Sequence, residues 1–315
     1  MSEKAAPSKS KMSAQQEIDL MMKKAKHNTF EKETAFWLDT GNERLNAVLG
    51  SPKFGLAYGK MIELFGPNSH GKTLMATLLA ALAQAKGAVI GWADLENSLD
   101  PIWAGEQGLK YEDVRIFRSR LVEGKKNAPP RILSAEELFD MMYDWILYKY
   151  TEDPDQRVVL VVDSLAVIQT GQELDTRLAD QNLNTVMSVP KFMGKMSKRY
   201  MALAENCSTL VIFINQVRMK PMAFGNPEYT PGGEAMKFAA ASRVGVRRVK
   251  GGKIVQGPKM IGLRGMLTNI KNKVGGGSRE GLQVGFETRF GKRAWRFPTA
   301  EEVKKEHEGF DDDED

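Results

Sequence analysis

The octapeptide Gly66-Pro67-Asn68-Ser69-His70-Gly71-Lys72-Thr73 constrains this chain more than any other stretch. It has the form GxxxxGK[ST] and lies between an apolar β-type run, Met61 to Phe65, and a helix-like segment, Leu74 to Ala85. In a strand–loop–helix setting, glycines let backbone N–H groups turn inward around phosphate oxygens, and the helix N-terminus adds a favourable dipole. A lysine at position 72 neutralises β/γ-phosphate charge, and the hydroxyl of Thr73 can ligate Mg²⁺. All eight residues are therefore expected at a bound nucleotide.

Three more apolar runs come later, at Ala88 to Trp92, Val158 to Val162 and Leu210 to Ile214. Their apolarity is continuous rather than alternating, which predicts strands buried on both faces of a mostly parallel sheet covered by helices. Gly-rich turns at Gly251-Gly252 and Gly275-Gly276-Gly277, with shorter strand-like runs around them, predict antiparallel additions at the sheet edge. Each apolar run leads into polar residues: the first into the octapeptide, the second into Asp94 and Glu96, the third into Asp163, the fourth into Asn215 and Gln216. Strand carboxyl ends line the ligand crevice of an open parallel sheet, so four strands deliver a phosphate loop, carboxylates and an amide to one place.

Within that crevice Asp163 is placed to hold a magnesium ion or its water, although strand ends often carry a turn acid. Glu96 can act as the base that deprotonates an attacking water, or stand as a solvated turn residue. Asp100-Pro101 has the form of an N-cap followed by proline at the first helical position. Trp103 fits either a core position or a stacking surface for adenine. Lys191, Lys195, Lys198 and Arg199 share one face of a predicted helix, a stripe suited to phosphates or simply solvated. Arg218 and Lys220 open a long Gly- and Pro-rich segment that runs to Gly232-Gly233.

Composition narrows the class of protein. With 315 residues, 42% hydrophobic and 27% charged, the chain has a core to bury and does not read as disordered or collagenous. The formal charge of +5 includes five acidic residues at the end, Asp311 to Asp315, so the first 310 residues carry +10 and point to a polyanionic partner. Cys207 stands alone, which fits a reducing, cytoplasmic setting, and three dispersed histidines suggest no zinc site. No stretch approaches the ~20 apolar residues of a membrane span. Residues 1 to 12 read as a flexible tail. The capping-box pattern at Ser13 and apolar spacing from Ala14 to Ala25 predict a helix that docks on its own core or on a neighbouring subunit.

Taken together, the strings GPNSHGKT at 66–73, DLENSLDP at 94–101, VVLVVDS at 158–164, FINQVRMK at 213–220, FGNPEYTPGGEAMKF at 224–238 and IKNK at 270–273 resemble the RecA-type homologous recombinases, phage-encoded members included. The resemblance runs from about Thr40 to Phe286. It implies a RecA-type P-loop ATPase core at 36–290, a tail and N-terminal oligomerisation helix at 1–35, and a short acidic segment at 291–315. It implies ATP and Mg²⁺ as cofactors, Glu96 as catalytic base and Gln216 as γ-phosphate sensor. Trp103 would stack on adenine beside Asp100, and Lys271 and Lys273 would reach the ATP of a neighbouring subunit. DNA contacts would come from Lys191, Lys198, Arg218, Lys220, Gly232 and Gly233, and from an earlier loop at about Gln169 to Asn184.

The implied activity is DNA-dependent ATP hydrolysis coupled to filament formation on single-stranded DNA, pairing with a homologous duplex, and strand exchange. Single-strand-binding and mediator proteins are implied partners, and a membrane is not. A RecA-core helicase or loader and a non-hydrolysing regulatory relative share the core and stand as alternatives. Two departures stand out: Asn68 and His70 replace the usual acidic and small residues of the loop. Only 29 residues come after Phe286, too few for the C-terminal duplex-capturing domain of many bacterial members.

Overall fold

Strands that must hide both faces need helices above and below, and the central strands here find them. In the computed structural model, which describes residues 36–123, 130–219, 228–274, 280–290 and 294–303, nine strands form one sheet. In chain order these are β1 (Met61–Gly66), β2 (Val89–Asp94), β3 (Val114–Phe117), β4 (Val158–Asp163), β5 (Thr209–Gln216), β6 (Ser242–Gln256), β7 (Lys259–Asn272), β8 (Gln283–Arg289) and β9 (Ala294–Arg296). The spatial order is β9-β8-β7-β6-β1-β5-β4-β2-β3. From β6 to β3 every neighbouring pair is parallel, and from β6 to β9 every pair is antiparallel.

Alternation along β4 shows how the core divides. Val159 and Val161 join one apolar cluster with Leu74, Met75 and Leu79 of helix α2 (Lys72–Ala85). Val158, Leu160 and Val162 join a second cluster with Leu138, Phe139 and Met142 of α4 (Ala135–Glu152) and Met193, Met196 and Tyr200 of α5 (Ser188–Asn206). Ser134 and Glu137 form a capping box at the start of α4. Three shorter helices are α1 (Glu43–Leu49), α3 (Pro101–Glu106) and α6 (Ala235–Ala239). The described residues belong to one compact unit beginning at Phe36.

Two expectations are corrected in detail. Gly251-Gly252 is not the turn of the antiparallel hairpin. Strand β6 runs through it as a register shift between Arg248 and Lys253, and the turn falls at Gly257-Pro258. A side chain at Gly252 would meet Arg264 O at 2.4 Å, so the glycine serves close strand approach rather than reversal. The segment expected as a loop at about Gln169 to Asn184 carries short helical turns at Gly171–Asp175, Leu178–Asp180 and Leu183–Val186. The tail and helix of residues 1–35, Lys220, the turn at 275–277 and the acidic end lie outside the described residues.

Candidate nucleotide site

The phosphate loop is shaped by the strands packed behind it. At Gly71, φ is +96°, a left-handed conformation that glycine adopts without strain. A Cβ there would also stand 2.9 Å from Leu263 Cδ2 of β7 and 3.3 Å from Phe286 of β8. At Gly66 a Cβ would meet Val246 O of β6 at 2.1 Å. The loop is thus pressed against the antiparallel half of the sheet. Helix α2 starts at Lys72 with no side-chain cap, which leaves its first N–H groups to an anion from the cleft.

Lys72 is buried and its Nζ donates to Pro67 O at 2.7 Å. Burial lowers its pKa, against the opposing pull of Asp163 and Glu96. Thr73 Oγ1 donates to Asp163 Oδ2 at 2.7 Å. Burial pushes the Asp163 carboxyl up to about 6; the bond from Thr73 and the charge of Lys72 oppose this, while Glu96 and Asp94 add to it. A buried carboxylate beside a hydroxyl is a donor pair that fits a hard cation such as Mg²⁺. Among the described residues no group of three or more His, Cys, Asp or Glu could hold a metal. The set therefore suits an ion that keeps waters or shares phosphate oxygens.

Glu96 sits just past β2. Its Oε1 accepts from Gln216 Nε2, at the end of β5, at 2.8 Å, and from the Ser164 hydroxyl just past β4. Asp94, two residues back, has a different task. It is fully buried, its Oδ1 accepts from Ser98 N at 2.9 Å, and its Oδ2 accepts from Arg118 at 3.0 and 3.2 Å. It holds the 95–99 turn that carries Glu96. Asp100 caps α3 by accepting from Trp103 N at 2.8 Å, with Pro101 at the first helical position. Trp103 packs on the core and also lines the cleft, so its two sequence readings are compatible.

These parts enclose a cleft of about 400 Å³. Asn68, Ser69, Gly71, Lys72, Thr73, Glu96, Asp100, Trp103, Asp163 and Gln216 all line it. Gly66, Pro67 and His70 are not among the residues that line it. His70 Nδ1 accepts from Arg248 N of β6 at 3.0 Å, and burial, with Arg248, Lys72 and Arg247 nearby, lowers its pKa and favours the neutral ring. Sequence reasoning missed Ser98, Met260, Leu263 and Phe290, which also line the cleft. The last three belong to the antiparallel half, and no motif marks them.

Other expected residues lie elsewhere. Lys271 and Lys273 are not brought to this cleft. Lys271 Nζ donates to the carbonyls of Lys237 and Phe238 in α6, and Lys273 is exposed just beyond β7. Lys191, Lys195, Lys198 and Arg199 are exposed on α5, with Arg199 paired to Asp140 at 2.7 Å. Arg218–Met219 pairs with Glu228–Tyr229, so the Gly- and Pro-rich segment stands on a two-residue hairpin stem. Arg218 also donates to Ala166 O at 3.2 Å, which joins this stem to the segment after β4. Gly232 and Gly233, both with positive φ, lie against Met193 and Pro190 of α5.

A family model described as the RecA N-terminal domain matches residues 11–127 and 153–291. Protein RecA of Laribacter hongkongensis (strain HLHK9) is 33% identical over 238 residues, which cover 75% of this chain and 60% of that protein. Protein RecA of Pseudomonas putida is 31% identical over 267 residues, 84% of this chain and 67% of that protein. The chain thus spans roughly two thirds or less of the length of these curated relatives. Residues 128–152, between the two matched segments, include α4.

Proposed function

The chain belongs to the RecA family, and on that premise we propose that it is an ATP-dependent DNA recombinase. It forms head-to-tail filaments on single-stranded DNA and catalyses homologous pairing and strand exchange, with DNA-dependent hydrolysis of ATP. In this reading residues 1–35 provide the docking helix, 36–290 the motor core and 291–315 an acidic segment. One observation carries the reading. Gln216 touches Glu96 inside the phosphate cleft at 2.8 Å and is two residues from Arg218, which begins the hairpin stem of the Gly- and Pro-rich segment. A single residue therefore touches the hydrolysis site with its side chain and leads by its backbone to the base of the expected DNA loop.

Placement then sets the chemistry. N–H groups of the loop and of the α2 N-terminus hold phosphate oxygens, and Lys72, freed from Pro67 O, adds a point charge. Thr73 and Asp163 would hold Mg²⁺, which when bound neutralises charge on the β- and γ-phosphates. Glu96 accepts a proton from water as the water oxygen bonds to the γ-phosphorus and the bridging P–O bond to ADP breaks. Trp103, Met260 and Phe290 give the base an apolar bed, beside Asp100. Lys271 and Lys273 serve the nucleotide of the adjacent subunit. Lys191, Lys198, Arg218, Lys220 and the Gly232-Gly233 backbone track DNA phosphates, a salt-sensitive mode that leaves sequence readout to base pairing.

The test is strand exchange between single-stranded DNA and either a homologous or a heterologous duplex, with ATP and Mg²⁺. Product from the homologous duplex alone is expected. Equal product from both, or processive unwinding of either, would sink the recombinase reading.

A further inference from the structure

Glu96 is gripped at its backbone and at its side chain by one short unit from β4. The N–H groups of Leu95 and Glu96 donate to Asp163 O at 2.7 and 3.4 Å, and the next residue, Ser164, donates its hydroxyl to Glu96 Oε1. Ser164 is fully buried, in extended backbone at the end of a strand whose six residues are all buried. Its single O–H is committed to this one acceptor. Gln216, the other donor to Oε1, is placed differently. It is half-buried, it leads through Val217 to exposed Arg218 and Met219, and its amide carries two N–H bonds that can be divided between Glu96 and a phosphate.

From this arrangement we propose that Ser164 is the positioning residue of the hydrolysis site. A glutamate carries three side-chain torsions, and an unpinned carboxylate at a cleft wall samples many directions. A charge-assisted hydrogen bond from a rigid, buried donor fixes Oε1. Among the described residues no hydrogen bond reaches Oε2, so this is the oxygen left to take the proton from water. Gln216 can move with the segment it opens while Ser164 keeps the base aimed. The role rests on the assignment of Glu96 as base, made above. It adds that the unit ending β4 supplies both the metal-facing carboxylate, Asp163, and the group that aims the base.

Single-turnover ATP hydrolysis and equilibrium binding of a non-hydrolysable ATP analogue, on the full chain with single-stranded DNA, test it. Ser164→Ala is expected to lower the hydrolysis rate about tenfold, the lower range for a lost bond to a charged group, with analogue affinity unchanged within about twofold. Ser164→Cys, with a weaker donor at similar length, falls between Ala and wild type. In a Glu96→Asp background the carboxylate is withdrawn by one methylene, and Ser164→Ala then costs nothing further. An equal tenfold loss in the Glu96→Asp background, or weakened analogue binding with the hydrolysis rate preserved, would overturn the proposal. Failure of the underlying reading looks different, because wild type and Glu96→Gln would then hydrolyse ATP equally. Normal hydrolysis by Ser164→Ala alongside an inactive Glu96→Gln removes only the role of Ser164.

Discussion

The parallel and antiparallel halves of the sheet bury themselves by different means. In β4 all six residues are buried, and in β5 seven of eight are, because helices cover both faces. In β7 buried and partly exposed residues alternate through Leu263, Arg264, Gly265, Met266 and Leu267. One face lies on the core through Leu263, Phe286 and Trp295, while the other carries Arg264, Arg289 and Arg296 around Glu287. The parallel half presents its chemistry at strand ends. The antiparallel half presents a wall, against which the phosphate loop is pressed at Gly66 and Gly71. One half acts on the nucleotide and the other sets the shape in which it can act.

Substitutions can undo that division. The largest effect belongs to the parallel half: Lys72→Ala is expected to abolish ATP turnover, a loss of at least about a thousandfold, as for removal of a charge that stabilises the transition state. Glu96→Gln is expected to keep nucleotide binding and lose hydrolysis to a similar degree, read by analogue binding and phosphate release. Retained turnover in Glu96→Gln would mean that another group is the base.

In the antiparallel half, Phe286→Ala empties a fully buried site behind Gly71 and is expected to cost ~3–5 kcal/mol of stability, read by denaturant unfolding. It should also weaken nucleotide binding, although Phe286 is not among the residues lining the cleft. Unchanged affinity at lowered stability would show that the wall does not shape the loop.

A smaller effect isolates the role of Asp163. Its folded pKa of about 6 lies above the ordinary 3.8, so between those values the folded protein keeps a proton that the unfolded chain has released. Stability of the nucleotide-free protein therefore falls as pH rises through this window. A bound cation favours the ionised form, so thermal stabilisation by Mg²⁺ with an ATP analogue should be larger at about pH 7.5 than at about pH 5. Asp163→Asn should flatten that difference, and an unaltered difference would place the titration elsewhere.

Legibility in the sequence divides along the same line. The four apolar runs, their mostly parallel pairing and the polar residues after them were readable, because strands buried on both faces leave an unbroken apolar signature and motifs sit at their ends. Asp100 as cap was readable from local spacing, whereas the position of Trp103 alone favoured the core and only the family resemblance put it at the nucleotide. Met260, Leu263 and Phe290 were not, since they reach the cleft only through the pairing of β6 beside β1 and the folding back of β7 and β8. Ser164 was hidden for a related reason: its meaning lies in a contact with Glu96, 68 positions away. Gly251-Gly252 misled because paired glycines usually signal reversal, whereas here the crowding at Gly252 requires a residue without Cβ inside a strand.

If strand ends in the parallel half join nucleotide and DNA, Gln216 is the side chain through which they do so. Steady-state ATP turnover with and without single-stranded DNA, in wild type and in Gln216→Ala, measures that link. Strong stimulation by DNA is expected in wild type, and in the variant a retained basal rate with the stimulation lost. Stimulation of the variant equal to that of wild type would contradict the coupling role of Gln216.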